Sequence, residues 1–338
     1  MLETKIISSQ ELSKFGQVEN LDKQALALVE QQKSTWGLAG KNFEALTRIQ
    51  TRDFDFGRFK ITAQFNSERI RSSAAKTDAK SIAKRPCFLC LNNLPQEQKG
   101  LLFQNNYLIL TNPFPIFPKH LTILNLKHIP QQIYPHFADL LGLSRNLPGF
   151  TIFYNGPQCG ASAPDHFHFQ AGNTGYLPVE NEFKALAKNH AEIVFQTRNS
   201  KIIAVENYLR RMVAIVSAEK KFIAEKFETI YHLLQSGTNE EPMMNILCNF
   251  SGGKWRVIIF PREKQRPSHF FRDDEKRLTV SPAAVEMGGI LVLPHKNDFT
   301  KITKQDIAEI YKEVTIGNEN FKDLLIQIKK LSGQKFTP

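Results

Sequence analysis

Between Asn155 and Gln170 the chain collects residues that could carry out phosphoryl chemistry: Asn155, a loop of small residues, then His166, His168 and Gln170. An imidazole with an unperturbed pKa of about 6.5 is largely neutral, and therefore nucleophilic, near pH 7. The spacing predicts two strands, Thr151 to Asn155 and His166 to Ala171. In the second, a period of two puts His166, His168 and Gln170 on one face and Phe167 and Phe169 on the other. Gly156, Gly160, Ala161 and Ser162 can bring backbone N–H groups close to an anion, and the side chains of Asn155 and Ser162 add hydrogen-bonding groups. Such a set is a phosphate cradle beside a histidine nucleophile. An isolated His-x-His is as readily a strand with two satisfied histidines, but here the whole ordered set is present, which favours a functional site.

The elements that would position this segment are legible on both sides of it. A helix is expected over Asp22 to Gln32 and a strand over Phe59 to Phe65. Strands at Tyr107–Leu110 and Leu121–Leu126 flank a proline-rich turn ending in His120, and a helix follows over Pro135 to Asn146. After Tyr176 come short strands at 202–208 and 211–216 and a helix over Ala218 to Gln235, whose Phe222, Ile223, Phe227, Ile230, Leu233 and Leu234 point inward. A hairpin of Met243–Phe250 and Lys254–Pro261 turns at Ser251-Gly-Gly. The segment 278–294 and a helix over Lys304 to Thr315 complete the order hairpin, strand, helix. That order echoes residues 107–146 and suggests a diverged internal duplication. The expected organisation is an α+β fold with an N-terminal helical arm (1–55), a catalytic unit (56–185) and a supporting unit (186–338) without His-x-His.

Other residues with chemical potential lie upstream. Arg69 and Arg71 follow a strand, a position that suits a guanidinium fork on phosphate or simply two solvated arginines. Cys87 and Cys90 form a Cys-x-x-Cys pair, which alone fits a redox motif, half a zinc site or chance. A redox motif should open a helix, whereas Leu91-Asn-Asn-Leu-Pro follows here. Asp165 either accepts an imidazole N–H or caps its loop, the second being the expectation. Arg262, Lys264, Arg266 and His269 form a basic stretch that reaches phosphate or sugar, or is surface charge.

Asn155, Ser162 and His166-Phe-His-Phe-Gln170 resemble the active-site segment of the histidine-triad (HIT-like) superfamily. They are closest to its transferase branch, with His-x-His-x-Gln in place of a third histidine. That branch holds galactose-1-phosphate uridylyltransferase, diadenosine tetraphosphate phosphorylase and the GDP-hexose phosphorylases. Val280 to Leu293, followed by Lys296-Asn-Asp-Phe299, resembles the C-terminal signature of the GDP-hexose phosphorylases. The resemblance implies HIT-like antiparallel sheets with flanking helices in two diverged repeats. It also implies cleavage of a nucleoside diphosphate sugar or dinucleotide polyphosphate by inorganic phosphate, through a nucleotidyl-histidine on His168. Gln170 would orient the nucleophile or hold an oxygen, with His166 beside it. Asn155, Gly160, Ala161, Ser162, Arg69 and Arg71 would bind substrate. By the pattern of the uridylyltransferases, Cys87, Cys90, His128 and His166 would hold one structural zinc ion; many GDP-hexose phosphorylases lack the cysteines. No organic cofactor is implied, and a homodimer stands as an analogy only.

The composition narrows the class further. Of 338 residues 41% are hydrophobic and 23% charged, as in a globular protein long enough for two cores. A net charge of +11 favours anionic partners, but the basic residues are dispersed, so a nucleotide explains it as readily as nucleic acid. Neither a membrane-length apolar run nor a signal-peptide core is present, which makes the cytoplasm the expected location. Four cysteines do not make a secreted disulfide framework. Two rival functions remain: a hydrolase of dinucleotide polyphosphates or nucleotide sugars, with water as acceptor, and a zinc-stabilised nucleic-acid-binding protein. The second needs exposed aromatics along a strand, whereas these phenylalanines alternate as a core does.

Overall fold

A computed structural model describes residues 2–69, 79–235, 237 and 240–333. In chain order the strands are β1 (Gln50–Asp55), β2 (Lys60–Phe65), β3 (Gly100–Phe103), β4 (Tyr107–Thr111), β5 (His120–Asn125), β6 (Phe150–Asn155) and β7 (His168–Asn173). They continue with β8 (Glu192–Gln196), β9 (Ser200–Val205), β10 (Met212–Ser217), β11 (Met244–Ser251), β12 (Lys254–Pro261) and β13 (Ile290–Leu293). Ten of them form one antiparallel sheet in the order β3-β4-β5-β7-β6-β11-β12-β10-β9-β8.

That order contains an internal repeat. A three-strand meander, a helix (Phe137–Asn146) and the pair β6/β7 give the order 3-4-5-7-6; a second meander, a helix (Lys220–Gln235) and β11/β12 give 8-9-10-12-11. The copies meet where β6 pairs with β11. The duplication therefore relates 192–261 to 100–173, and not 243–315 to 107–146 as the element order had suggested. The 278–294 segment, read as part of that echo, instead forms a short helix (Ala284–Met287) and β13, which joins β2 in parallel in a separate sheet, β1-β2-β13. It follows β12 closely in sequence, but the sheet edge it completes belongs to the first half of the chain.

The two copies differ where it matters. β11 and β12 are joined by Gly252 and Gly253, both at positive φ (58° and 74°), the conformation a two-residue turn of matching twist requires. The equivalent connection between β6 and β7 spans 156–167 and carries the small-residue loop. A two-residue turn has no room for such a loop, so one copy alone carries it.

The large sheet packs on both faces. On one, Phe167, Phe169, Ile123 and Ile152 meet the helices Phe137–Asn146 and Lys220–Gln235, where the Phe137 and Phe227 rings stack at 3.6 Å. Period two along β7 sends Phe169 and Ala171 to that face and His168 and Gln170 to the other. Across the first copy that other face is covered mainly by the segment Cys87–Leu94, which packs on Leu108, Leu110 and Leu124. The N-terminal helices Leu21–Thr35 and Gly37–Ala45 bury Leu28, Val29, Ala39 and Phe43 in the same core as Phe169 and Ile123, and Asn42 donates to the Pro113 carbonyl at 2.7 Å. Among the described residues no helix is long and apolar enough to cross a membrane.

Candidate active site

β7 begins at His168, two residues later than the sequence spacing predicts. His166 sits in the preceding turn, its N–H bonded to the Ala163 carbonyl, so it does not share the strand face with His168 and Gln170. The strand pairing starts at Leu124↔His168 because the Phe167 N–H is taken by the Ile129 carbonyl instead. The two histidines thereby turn to different tasks.

His168 is buried, and its Nδ1 lies 2.8 Å from the His166 carbonyl. A carbonyl only accepts, so Nδ1 carries the proton and Nε2, across the ring, keeps its lone pair. Burial pushes the imidazole down to about 4, which keeps it neutral at pH 7. Gln131 clamps the backbone around it: its Nε2 donates to the carbonyls of Asn155 (3.0 Å) and His168 (2.9 Å), and its Oε1 accepts the His168 N–H (2.9 Å). Nothing in the local sequence marks Gln131, whose partners come from two strands.

His168 and Gln170 open into a cavity of about 670 Å³, within the range of small-molecule sites. Its apolar walls include Trp36, Leu38, Leu89, Leu94 and Phe114; Arg69, Arg85, Ser162 and Asn112 supply polar groups. Trp36 and Leu38 belong to the N-terminal arm, where the sequence offered no site residue. A smaller adjoining cavity of about 60 Å³ brings together Asn155, Gly160, Ser162, Arg69 and Gln170. Arg71 lies outside the described residues.

Within this set the groups differ in freedom. The Arg69 guanidinium donates to the Phe114 carbonyl at 2.8 Å, while its buried Nε has no partner. Burial lowers its pKa to about 10, so it stays charged at pH 7. Asn155 Oδ1 accepts from Asn245 (3.0 Å) and from the Ala284 N–H (2.8 Å), which fixes its amide orientation. Gly160 sits at φ +97°, and an added Cβ would come within 2.4 Å of Ala283 Cβ, so the loop closes tightly on that residue. The amides of Gly156 and Ala161 are spent inside the protein, on the carbonyls of Met244 (3.2 Å) and Gly156 (3.4 Å). The basic stretch after β12 does not reach the cavity walls: Arg262 is buried and bonded to the Val314, Pro282 and Lys264 carbonyls and to Asn245 Oδ1.

His166 faces the cysteine pair. Its Nδ1 lies 3.3 Å from Cys87 Sγ and 3.6 Å from Cys90 Sγ, and Nε2 donates to the Asn125 carbonyl at 2.8 Å. Cys90 Sγ is 3.2 Å from His128 Nδ1. The four donor atoms lie within 4.8 Å of one another. Burial, then the neighbouring Cys87, pushes the Cys90 thiol up to about 11. Asp165, expected to cap its loop, takes Arg85 Nη2 at 3.1 Å and faces His128 Nε2 at 3.7 Å. It therefore ties the cysteine–histidine cluster to a cavity-lining arginine.

The fold is HIT-like, in two joined copies. Yeast Ap4A phosphorylase in complex with Ap4A superposes with a TM-score of 0.55 over 89% of this chain and 99% of that one, at 14% identity. The same enzyme with AMP gives 0.52 over 83% and 96%, at 13% identity. Residues 185–335 match the GDPGP1-like C-terminal domain, and residues 28–173 match a domain of unknown function, DUF4922. GDP-L-galactose phosphorylase 2 of Arabidopsis thaliana is 27% identical over 229 residues, 64% of this chain. The match spans about half (49%) of that relative's length.

Proposed function

We propose that the protein is a nucleotidyltransferase of the phosphorylase type, acting on a nucleoside diphosphate hexose with inorganic phosphate as acceptor. The observation that carries this reading is His168: a buried neutral imidazole, its Nδ1–H held by a carbonyl, its Nε2 lone pair at the wall of a nucleotide-sized cavity. Nε2 attacks the α-phosphorus, the bond to the β-phosphate oxygen breaks, and the hexose 1-phosphate leaves. Phosphate then attacks the nucleotidyl-histidine, releasing a nucleoside diphosphate and restoring the neutral ring. A sugar phosphate whose second pKa is about 6 leaves largely as an anion, so Gln170 in place of an acid suffices. Arg69, Asn155, Ser162 and the Gln170 amide surround the small cavity where the phosphate oxygens would sit.

Cys87, Cys90, His128 and His166 form a closed Cys₂His₂ set that suits tetrahedral zinc with a structural role. The His166 Nε2–H bond to Asn125 leaves Nδ1 unprotonated, as a ligand must be. His166 would thus be ligand and scaffold at once, since its carbonyl holds His168. Four free cysteines fit a reducing compartment such as the cytoplasm.

The test is product analysis. The protein is incubated with GDP-, ADP- and UDP-hexoses and with Ap4A, each with and without inorganic phosphate. Phosphate-dependent release of a nucleoside diphosphate supports the reading and names the base. Release of a monophosphate without phosphate would make the protein a hydrolase.

A further inference from the structure

Away from the cavity, His269 stands between two carboxylates of a neighbouring helix. It lies in the turn Ser268–Phe271 after β12 and is 7% exposed. Asp306 and Glu309, three residues apart on the helix Lys304–Val314, direct one oxygen each at its ring. Nε2 is 3.7 Å from Asp306 Oδ1 and 3.6 Å from Glu309 Oε2. Among the described residues the ring has no hydrogen-bond partner, its buried Nδ1 included.

The spacing is informative. A protonated imidazole draws its N–H onto a carboxylate at about 2.7–2.9 Å, yet this ring stands off both oxygens almost equally. Around a zinc ion with bonds of about 2.0–2.2 Å, tetrahedral donor atoms lie roughly 3.3–3.6 Å apart. The other carboxylate oxygens are already engaged: Asp306 Oδ2 accepts from Thr303 N–H (2.8 Å) and Oγ1 (2.7 Å), and Glu309 Oε1 accepts from Gln305 (2.9 Å). Each carboxylate is therefore held with one oxygen free and turned to Nε2. The three donor atoms lie within 4.8 Å of one another, and the half-exposed Glu309 leaves the outer side open to water.

We infer that His269, Asp306 and Glu309 form a second metal site, taking a divalent ion of the zinc class with water as the remaining ligand. One imidazole and two carboxylates suit borderline ions such as Zn²⁺ or Co²⁺ and exclude a thiolate-type centre. The ion would clasp the segment that follows β12 to the helix Lys304–Val314. The far end of that segment supplies Ser281 and Ala283 to the small cavity beside Asn155.

The experiment is a Co²⁺ and Zn²⁺ titration of metal-free full-length protein, comparing wild type with His269→Gln and Glu309→Gln. Glu309 is half-exposed and outside the helix cap, so that variant keeps the fold if removal of the buried ring does not. Thiolate-to-Co²⁺ charge-transfer absorption reports the cysteine cluster separately. Glu309→Gln should bind one equivalent fewer than wild type with the thiolate band unchanged, and Zn²⁺ should raise its unfolding temperature less. Equal stoichiometry in wild type and Glu309→Gln overturns the site, whatever the substrate of the enzyme proves to be.

Discussion

His120 Nε2 lies 3.0 Å from Gln170 Oε1, on adjacent strands of one sheet. The Ile116 N–H donates to His120 Nδ1 at 3.1 Å, so the ring proton is on Nε2 and the carbonyl end of Gln170 accepts it. The Gln170 NH₂ group is thereby aimed away from His120, toward the cavity that holds His168. His120 is fully buried between Phe117 and Phe153 and acts through Gln170.

Replacing His120 by Leu should free the Gln170 amide to rotate and lower kcat by about tenfold to a hundredfold, less than the roughly 10²–10³-fold cost of removing an aimed donor outright. His120→Gln, whose amide can donate to the same carbonyl, should recover most of the loss. Steady-state kinetics with KM resolved from kcat decides it; equal rates in the Leu and Gln variants would contradict the positioning role.

His168→Ala should lower kcat by at least about 10³-fold with little change in thermal midpoint, because the proposed mechanism makes the ring the nucleophile while its one side-chain hydrogen bond reaches only the His166 carbonyl two residues away. Protein quenched in alkali, where the P–N bond of a nucleotidyl-histidine survives, should carry a labelled nucleotidyl group in wild type and none in the variant.

Gln131→Leu should behave oppositely. It leaves the Asn155 and His168 carbonyls and the His168 N–H without their side-chain partner, at about 1–3 kcal/mol for each buried group left unsatisfied. Calorimetry should show a clear drop in melting temperature, with activity lost in parallel as the strand ends part.

Burial holds His120 down to about 3, against an unfolded value near 6.5. The unfolded chain then binds a proton that the folded one does not, so stability is lost as pH falls from about 6.5 toward 3. The slope approaches about 1.4 kcal/mol per pH unit for this group. Urea unfolding at stepped pH should show a shallower acid dependence in His120→Gln than in wild type.

Metal-free protein should melt lower than protein reconstituted with zinc, and Cys87→Ser should abolish most of that difference. Metal analysis finding no zinc in wild type prepared without chelator would remove the structural centre while leaving the nucleophile standing.

Local pattern carried a good part of this protein. The order of Asn155, the small-residue loop and His-x-His-x-Gln was readable because a strand, a loop and a strand are contiguous in sequence, and period two in β7 separates Phe169 from His168 and Gln170. The helices Lys220–Gln235 and Lys304–Val314 were readable from their apolar stripes, and the two-glycine turn from its composition. What tertiary structure decided depended on groups distant in the chain. The strand starts at His168 because the Ile129 carbonyl takes the Phe167 N–H, and this sends His166 to the cysteines. Trp36, Arg85, His120 and Gln131 reach the site from four separate segments, each bonded or packed to partners that no local spacing reveals. The repeat was mis-registered for the same reason: helix, hairpin and strand recur locally, but only sheet pairing shows which hairpin takes the place of β6 and β7. Propensity and periodicity act over a few residues, whereas hydrogen bonds between strands and the sharing of one cavity are settled only when the whole sheet closes.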